Sequence, residues 1–396
     1  MPDRINARRT IIFVNAAHAF DHFVILIYPT AVIAMAPELG LSYAALIGLA
    51  TGTFLAFGLF ALPMGWLSGR LGRRNMLAAF FLGCGLSLFG LATAATPLAL
   101  GIWLLILGIF SAIYHPVGTA MLVSNTRRLG RDLGWNGVWG NLGAGLASGV
   151  TALVAAWLGW RAAFVVPGVV LLAVGAAFLA MVADDRTATG ARADGAPPIP
   201  VLRPRLLVGL FALAVVAGGM TFNMTTIALP KVIDERLGLD LSLPLVGSLA
   251  TMAFLFGAMT QLLMGRLIDR HALPTIFVGL SFVQMTGLVV ASLSTGLPLM
   301  AGLVLAMAGI YGQVIINDAM VARYVPSERR ATAYSIRYFL GFSVSGLAVP
   351  LIAFTHSLGG FPVVLGVTAV FGAAIFACAI MFRLAAGAPP PRLAVP

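Results

Sequence analysis

Charge is what this chain has least of. Asp, Glu, Lys and Arg together supply 9% of its 396 residues, against about a quarter in an average soluble domain. Hydrophobic residues make up 60% and mean hydropathy is +1.00, more apolar surface than a water-soluble fold can hide. Cysteine is nearly absent. Cys84 and Cys378 each fall inside an apolar run, which suits packing residues and excludes a disulfide framework. There is no Gly-Lys-Ser/Thr phosphate loop to drive an ATP pump, and no Gly-x-Ser-x-Gly elbow of a hydrolase. An enzyme is therefore not expected, nor a cofactor. The first apolar run lacks a small-residue cleavage site, so it reads as a retained helix rather than a signal peptide.

What the chain has instead is hydrophobic length. Twelve apolar stretches, roughly 11–36, 44–64, 76–95, 98–123, 133–157, 161–183, 206–230, 244–264, 274–294, 298–322, 331–355 and 361–383, can each cross a hydrocarbon core of about 30 Å. The 45 glycines fit helices that pack through small side chains in lipid. The predicted fold is all-α, with twelve transmembrane helices in two six-helix bundles. The bundles are residues 1–183 and 206–396, and a polar, Pro- and Gly-containing cytoplasmic linker at 184–205 joins them.

The net charge of +11 reports topology rather than nucleic-acid binding. All but four of the 24 basic residues lie in alternate connections or at the termini; the exceptions are Arg161, Lys231, Arg236 and Arg337. The positive-inside rule makes that side cytoplasmic, with both termini inside a multi-pass inner (plasma) membrane protein. Contact between those arginines and anionic lipid headgroups follows.

The chain is also built twice. Leu49-Ala-Thr51 matches Leu249-Ala-Thr251 and Gly65 matches Gly265; at an offset of 197, Tyr114 matches Tyr311, Gly149 matches Gly346 and Phe164 matches Phe361. Parallel six-helix repeats are a transporter plan, with the substrate near the bilayer midplane between the halves. A carrier working by alternating access is the first functional expectation.

The turn Gly65-Trp-Leu-Ser-Gly-Arg-Leu-Gly-Arg-Arg74 and its echo Gly265-Arg-Leu-Ile-Asp-Arg270 resemble the signature loop of the major facilitator superfamily. The resemblance implies a cytoplasmic gate at Gly65, Arg70, Arg73 and Arg74, although Gly69 stands where the family usually has Asp. The second copy keeps Asp269, which the analogy places against the start of the fifth span near Arg131, where helix dipole and cation favour an anion. His18-Ala-Phe-Asp21-His22, Tyr28-Pro29, Tyr114-His115-Pro116 and Asn141-Leu-Gly-Ala-Gly145 narrow the resemblance to the fosmidomycin-resistance group of efflux carriers. Asp21-His22 replaces that group's Asn-Asp, and Val117 replaces a Glu.

Ionisable groups inside lipid-spanning helices are costly, and by default they mark a site. Asp21 lies mid-span; His18 shares its face and His22 follows His18 at i,i+4. His115 in the fourth span lies at a similar depth. Three readings stay open for these four residues. They carry a coupling proton, histidine being suited to that by its ordinary pKa. They form a hydrogen-bonded clamp between helices. Or they bind a divalent transition metal; no resident metal is assigned. In the second half, Asp318 and Arg337 are expected to pair, as a moving gate, as an anchor for an anionic substrate or as a static brace. Tyr28, Asn141, Asn223 and Gln313 are candidate cavity-lining, substrate-binding residues, interhelical hydrogen bonds being the other use of the polar ones. The expected function is proton-coupled efflux of a small organic solute, anionic or drug-like, by a monomer with no nucleic-acid partner. The alternatives are a transition-metal carrier using the His/Asp cluster and a non-transporting receptor on a carrier fold.

Overall fold

The computed structural model describes residues 2–126, 129–183, 203–238, 240–325 and 327–386. The expected linker lies outside them, apart from 203–205. Thirteen helices run in chain order: α1 (Pro2–Leu39), α2 (Tyr43–Leu49), α3 (Thr51–Leu71), α4 (Arg73–Thr93), α5 (Pro97–Ser111), α6 (Tyr114–Asn125), α7 (Leu129–Leu158), α8 (Ala162–Met181), α9 (Pro204–Arg236), α10 (Leu243–Arg270), α11 (Leu273–Leu293), α12 (Gly296–Tyr324) and α13 (Ser327–Ala386). Eleven of the resulting continuous segments are long and apolar enough to span a membrane. The last is two spans: α13 is interrupted at Gly359 and at Gly360 (φ 66°, ψ −159°). That second conformation is left-handed, open to glycine and strained for other residues, and it separates the expected runs 331–355 and 361–383. The described residues thus make twelve crossings.

Two other crossings are broken. Ala50 divides α2 from α3, and Ala112–Ile113 divides α5 from α6. The second break has a local cause: Pro116 has no N–H to offer the carbonyl four residues back, that of Ala112, so the helix cannot run through regularly. A break at membrane depth is tolerated where neighbouring helices bury it, and Ala112 and Ile113 are both buried. The turn at Gly72 (φ 87°) lets α3 reverse into α4, again in a conformation that favours glycine.

Each of the four basic exceptions has a local partner. Arg161 meets Glu38 at 2.5 Å; Lys231 meets Asp234 at 2.5 Å and Glu235 at 3.3 Å. Arg236 donates to the carbonyls of Ala291, Ser292 and Ser294 at the end of α11, a C-terminal cap where a cation is favoured. Arg337 pairs with Asp318.

The first half (α1–α8) and the second (α9–α13) meet along α7 with α10 and along α2 and α3 with α13. Glycines allow these close approaches. A Cβ at Gly247 would fall 2.4 Å from that of Ala152, and one at Gly346 would fall 2.3 Å from the Leu55 side chain. The cross-half contacts begin at the end of the bundle opposite the termini (the far end), with Tyr43 on His356. They continue through Thr251 Oγ1, which accepts from Gly149 N at 3.1 Å, to the Asn141–Gln261 hydrogen bond near the middle of α7. Cys84 and Cys378 are buried free thiols.

Candidate functional site

The four singled-out residues of the first half come together. Asp21 is fully buried, and neither carboxylate oxygen has a hydrogen-bond partner among the described residues. The nearest charge-bearing group is His115, whose Nε2 stands 3.3 Å from Asp21 Oδ2, within ion-pair reach but off the alignment of a hydrogen bond. The rings of His18, His22 and His115 form a triangle: 5.0 Å between the centroids of His18 and His22, 5.5 Å between His18 and His115 and 5.7 Å between His22 and His115. One ring nitrogen from each lies within 4.8 Å of the other two.

Three helices hold this arrangement. His18 Nδ1 is 2.7 Å from the backbone carbonyl of Asn136 in α7, a contact that makes Nδ1 the protonated nitrogen when the ring is neutral. The His18 ring stacks on Tyr114 of α6 at 4.8 Å and 23°. Tyr114 Oη in turn donates to Asn136 Oδ1 at 3.1 Å, and Asn136 Nδ2 donates to Asn15 Oδ1 at 3.0 Å. Asn136 therefore ties α1, α6 and α7 at one point. Sequence reasoning passed over it; the available signal was its place one turn before Gly140, the position where a Cβ would fall 2.5 Å from His18 Nε2.

The Gly series of α7 divides between two faces. Gly140 and Gly143 admit α1, a Cβ at Gly143 landing 1.9 Å from the Ala19 carbonyl oxygen, whereas Gly145 and Gly149 pack on Phe254, Leu255 and Thr251 of α10. One helix thus seats the buried cluster on one side and the second half of the chain on the other.

The substrate-lining candidates fall in different places. Asn141 donates to Gln261 Oε1 across the halves, and Gln261 Nε2 reaches the Tyr311 carbonyl at 3.2 Å. Tyr28 is buried, with its hydroxyl on the Leu46 carbonyl at 2.7 Å; it joins α1 to α2. Asn223 Nδ2 bonds its own helix at Gly219 O, 2.8 Å. Gln313 Nε2 donates to Ser281 Oγ at 3.2 Å, both buried. Arg337 of α13 is paired with Asp318 of α12, as expected, and also approaches the Val314 carbonyl at 3.5 Å.

The Gly/Arg turn makes contacts inside the first half. Gly65 lies against Pro116, a Cβ there falling 3.3 Å from the proline's. The Arg70 guanidinium covers the Trp66 ring at 4.0 Å, Arg73 donates to Ser124 Oγ at 3.3 Å, and Arg74 donates to the carbonyls of Val182 and Leu179 at the end of α8. The side chains of Asp269 and Arg131, the expected latch, lie outside the described residues.

Twelve membrane crossings in two related bundles, with polar contacts at mid-depth between them, define a multi-pass membrane carrier of the alternating-access type, not an enzyme. The Major Facilitator Superfamily matches residues 11–316 and again 211–395, and the chain belongs to that family. Two solved structures of a bacterial homologue of the human lysosomal transporter Spinster share the fold. The inward-facing, occupied form has a TM-score of 0.74 at 14% identity, over 96% of this chain and 95% of that one. The inward-facing, unoccupied form has a TM-score of 0.67 at 15% identity, over 98% and 96%. No curated protein matches the sequence.

Proposed function

We propose that this carrier couples efflux of a small organic solute, anionic or drug-like, to the proton gradient across the inner (plasma) membrane. It works as a monomer with both termini in the cytoplasm, in keeping with the resemblance to the fosmidomycin-resistance group. The observation that carries the reading is Asp21, wholly buried, without a hydrogen bond and 3.3 Å from His115 Nε2. A carboxylate so placed is costly unless it is protonated or neutralised by a partner. Asp21 takes the proton when the site is sealed, and His115, flanked by His18 and His22, is its exchange partner. The solute occupies the space between the halves near Asn141 and Gln261. Arg337, already satisfied by Asp318, braces α12 against α13, and the Gly65–Arg74 turn with Asp269 and Arg131 governs opening at the termini end.

The test is uptake into proteoliposomes from a panel of organic anions and antibiotics, with and without an imposed proton gradient. Accumulation that requires the gradient supports the reading; accumulation indifferent to it overturns the coupling. A second reading, favoured by the three ring nitrogens within 4.8 Å of one another, is that the cluster carries a divalent transition metal as cargo. Saturable cobalt or zinc uptake that is lost on His18→Ala or His115→Ala would establish it in place of the first.

A further inference from the structure

At the far end of the bundle a second ionisable group stands apart from the Asp21 cluster. Tyr43 opens α2 in the first half. In the second half His356 ends the first arm of α13, and Phe361 follows the break at Gly359–Gly360. The three rings pack together, with centroids 5.0 Å apart for Tyr43 and His356, 5.5 Å for Tyr43 and Phe361 and 4.6 Å for His356 and Phe361. Tyr43 is thus an aromatic side chain of one half seated in a pocket of the other. His356 Nε2 and the Tyr43 hydroxyl are both buried without a hydrogen-bond partner among the described residues.

Behind His356 stands Glu235 near the end of α9, its Oε2 3.8 Å from His356 Nε2. Its other oxygen is 3.3 Å from Lys231, which also holds Asp234 at 2.5 Å. The titratable and charged groups facing His356 are therefore Glu235 from α9 and Tyr43 from α2, with Lys231 and Asp234 behind Glu235.

We propose that His356 is a proton-binding site that latches the far end of the carrier closed. At 3.8 Å a neutral imidazole makes no hydrogen bond to the carboxylate. Protonation makes both ring nitrogens donors whichever tautomer the neutral ring adopts, and it sets a charge facing the half of Glu235 that Lys231 does not contact. It also places a cation against the Tyr43 ring, and Tyr43 arrives from the opposite half only when that end is shut. The proton therefore binds the closed state more tightly than the open one, and by linkage it favours closure. The sign follows: acidifying the far compartment shuts the end that faces it, and raising its pH releases that end. This regulation goes beyond the proposed coupling at Asp21 and needs only alternating access to operate.

The experiment places spin labels at Leu98→Cys and Leu297→Cys, exposed positions at the far end of each half, in protein whose Cys84 and Cys378 are replaced by Ala. Double electron–electron resonance in nanodiscs then reads the closed-to-open ratio from pH 8 to pH 5. That ratio should rise about tenfold on acidification, in the usual range of coupling between two sites. His356→Phe, which keeps the aromatic packing, should abolish the rise, and so should Tyr43→Ala. Tyr43→Phe should retain it, because the hydroxyl has no partner. An unaltered rise in His356→Phe, or in Tyr43→Ala should His356→Phe fail to fold, overturns the proposal, as does a ratio independent of pH in the parent. Asp21→Asn separates the two proton sites: a rise that survives it belongs to the far end, and one that vanishes with it while persisting in His356→Phe belongs to the Asp21 cluster.

Discussion

Asp21 and His115, on α1 and α6, stand 3.3 Å apart in a place where, among the described residues, the carboxylate has no other charged or hydrogen-bonding partner. The first prediction concerns that pair. Asp21→Asn keeps the volume and removes the proton site, so gradient-driven accumulation should fall at least tenfold while solute exchange at equal concentrations persists. Counterflow beside uphill uptake in proteoliposomes separates the two, and undiminished uphill transport would refute the role of Asp21.

Gly143 faces the Ala19 carbonyl with no room for a methyl group, whereas a Cβ at Gly137 would meet nothing within 4 Å. Gly143→Ala should therefore destabilise by about 1–3 kcal/mol, as overpacking does, and Gly137→Ala should be close to neutral. Thermal unfolding in detergent checks both, and equal effects would mean that α1 and α7 are not held at the distance described.

Arg337 and Asp318 form an ion pair between α12 and α13. Removing only Arg337 takes this cation from the carboxylate; because the Asp318 side chain is 37% exposed, the cost is discounted to about 1–2 kcal/mol. Arg337→Gln with Asp318→Asn should recover most of it and retain transport if the pair is a brace. Loss of solute affinity in the double variant, with stability recovered, would instead make Arg337 a substrate anchor.

Tyr28 spends its hydroxyl on the Leu46 carbonyl. Tyr28→Phe should thus lower stability by about 1 kcal/mol and leave KM unchanged. A raised KM at unchanged stability would place Tyr28 in the solute site.

Hydropathy marked the twelve crossings because a bilayer demands a local property of each segment, about twenty consecutive apolar residues, which needs no knowledge of neighbours. The same cost singled out Asp21, His18, His22 and His115, and the complementary signs of Asp318 and Arg337 foretold their pairing. The choice of partners was not local. His18 meets Asn136 118 positions away, Asn141 meets Gln261 120 away, and Tyr43 meets His356 in the other half. The apolar run at 98–123 hid a break at Ala112–Ile113, and nothing local to Tyr28 announced the Leu46 carbonyl beside its hydroxyl. Polar side chains in an apolar helix are written identically whether they face a cavity, their own backbone or another helix. The rotation and packing of the helices decide among these, through close approaches that glycines permit and long-range contacts complete.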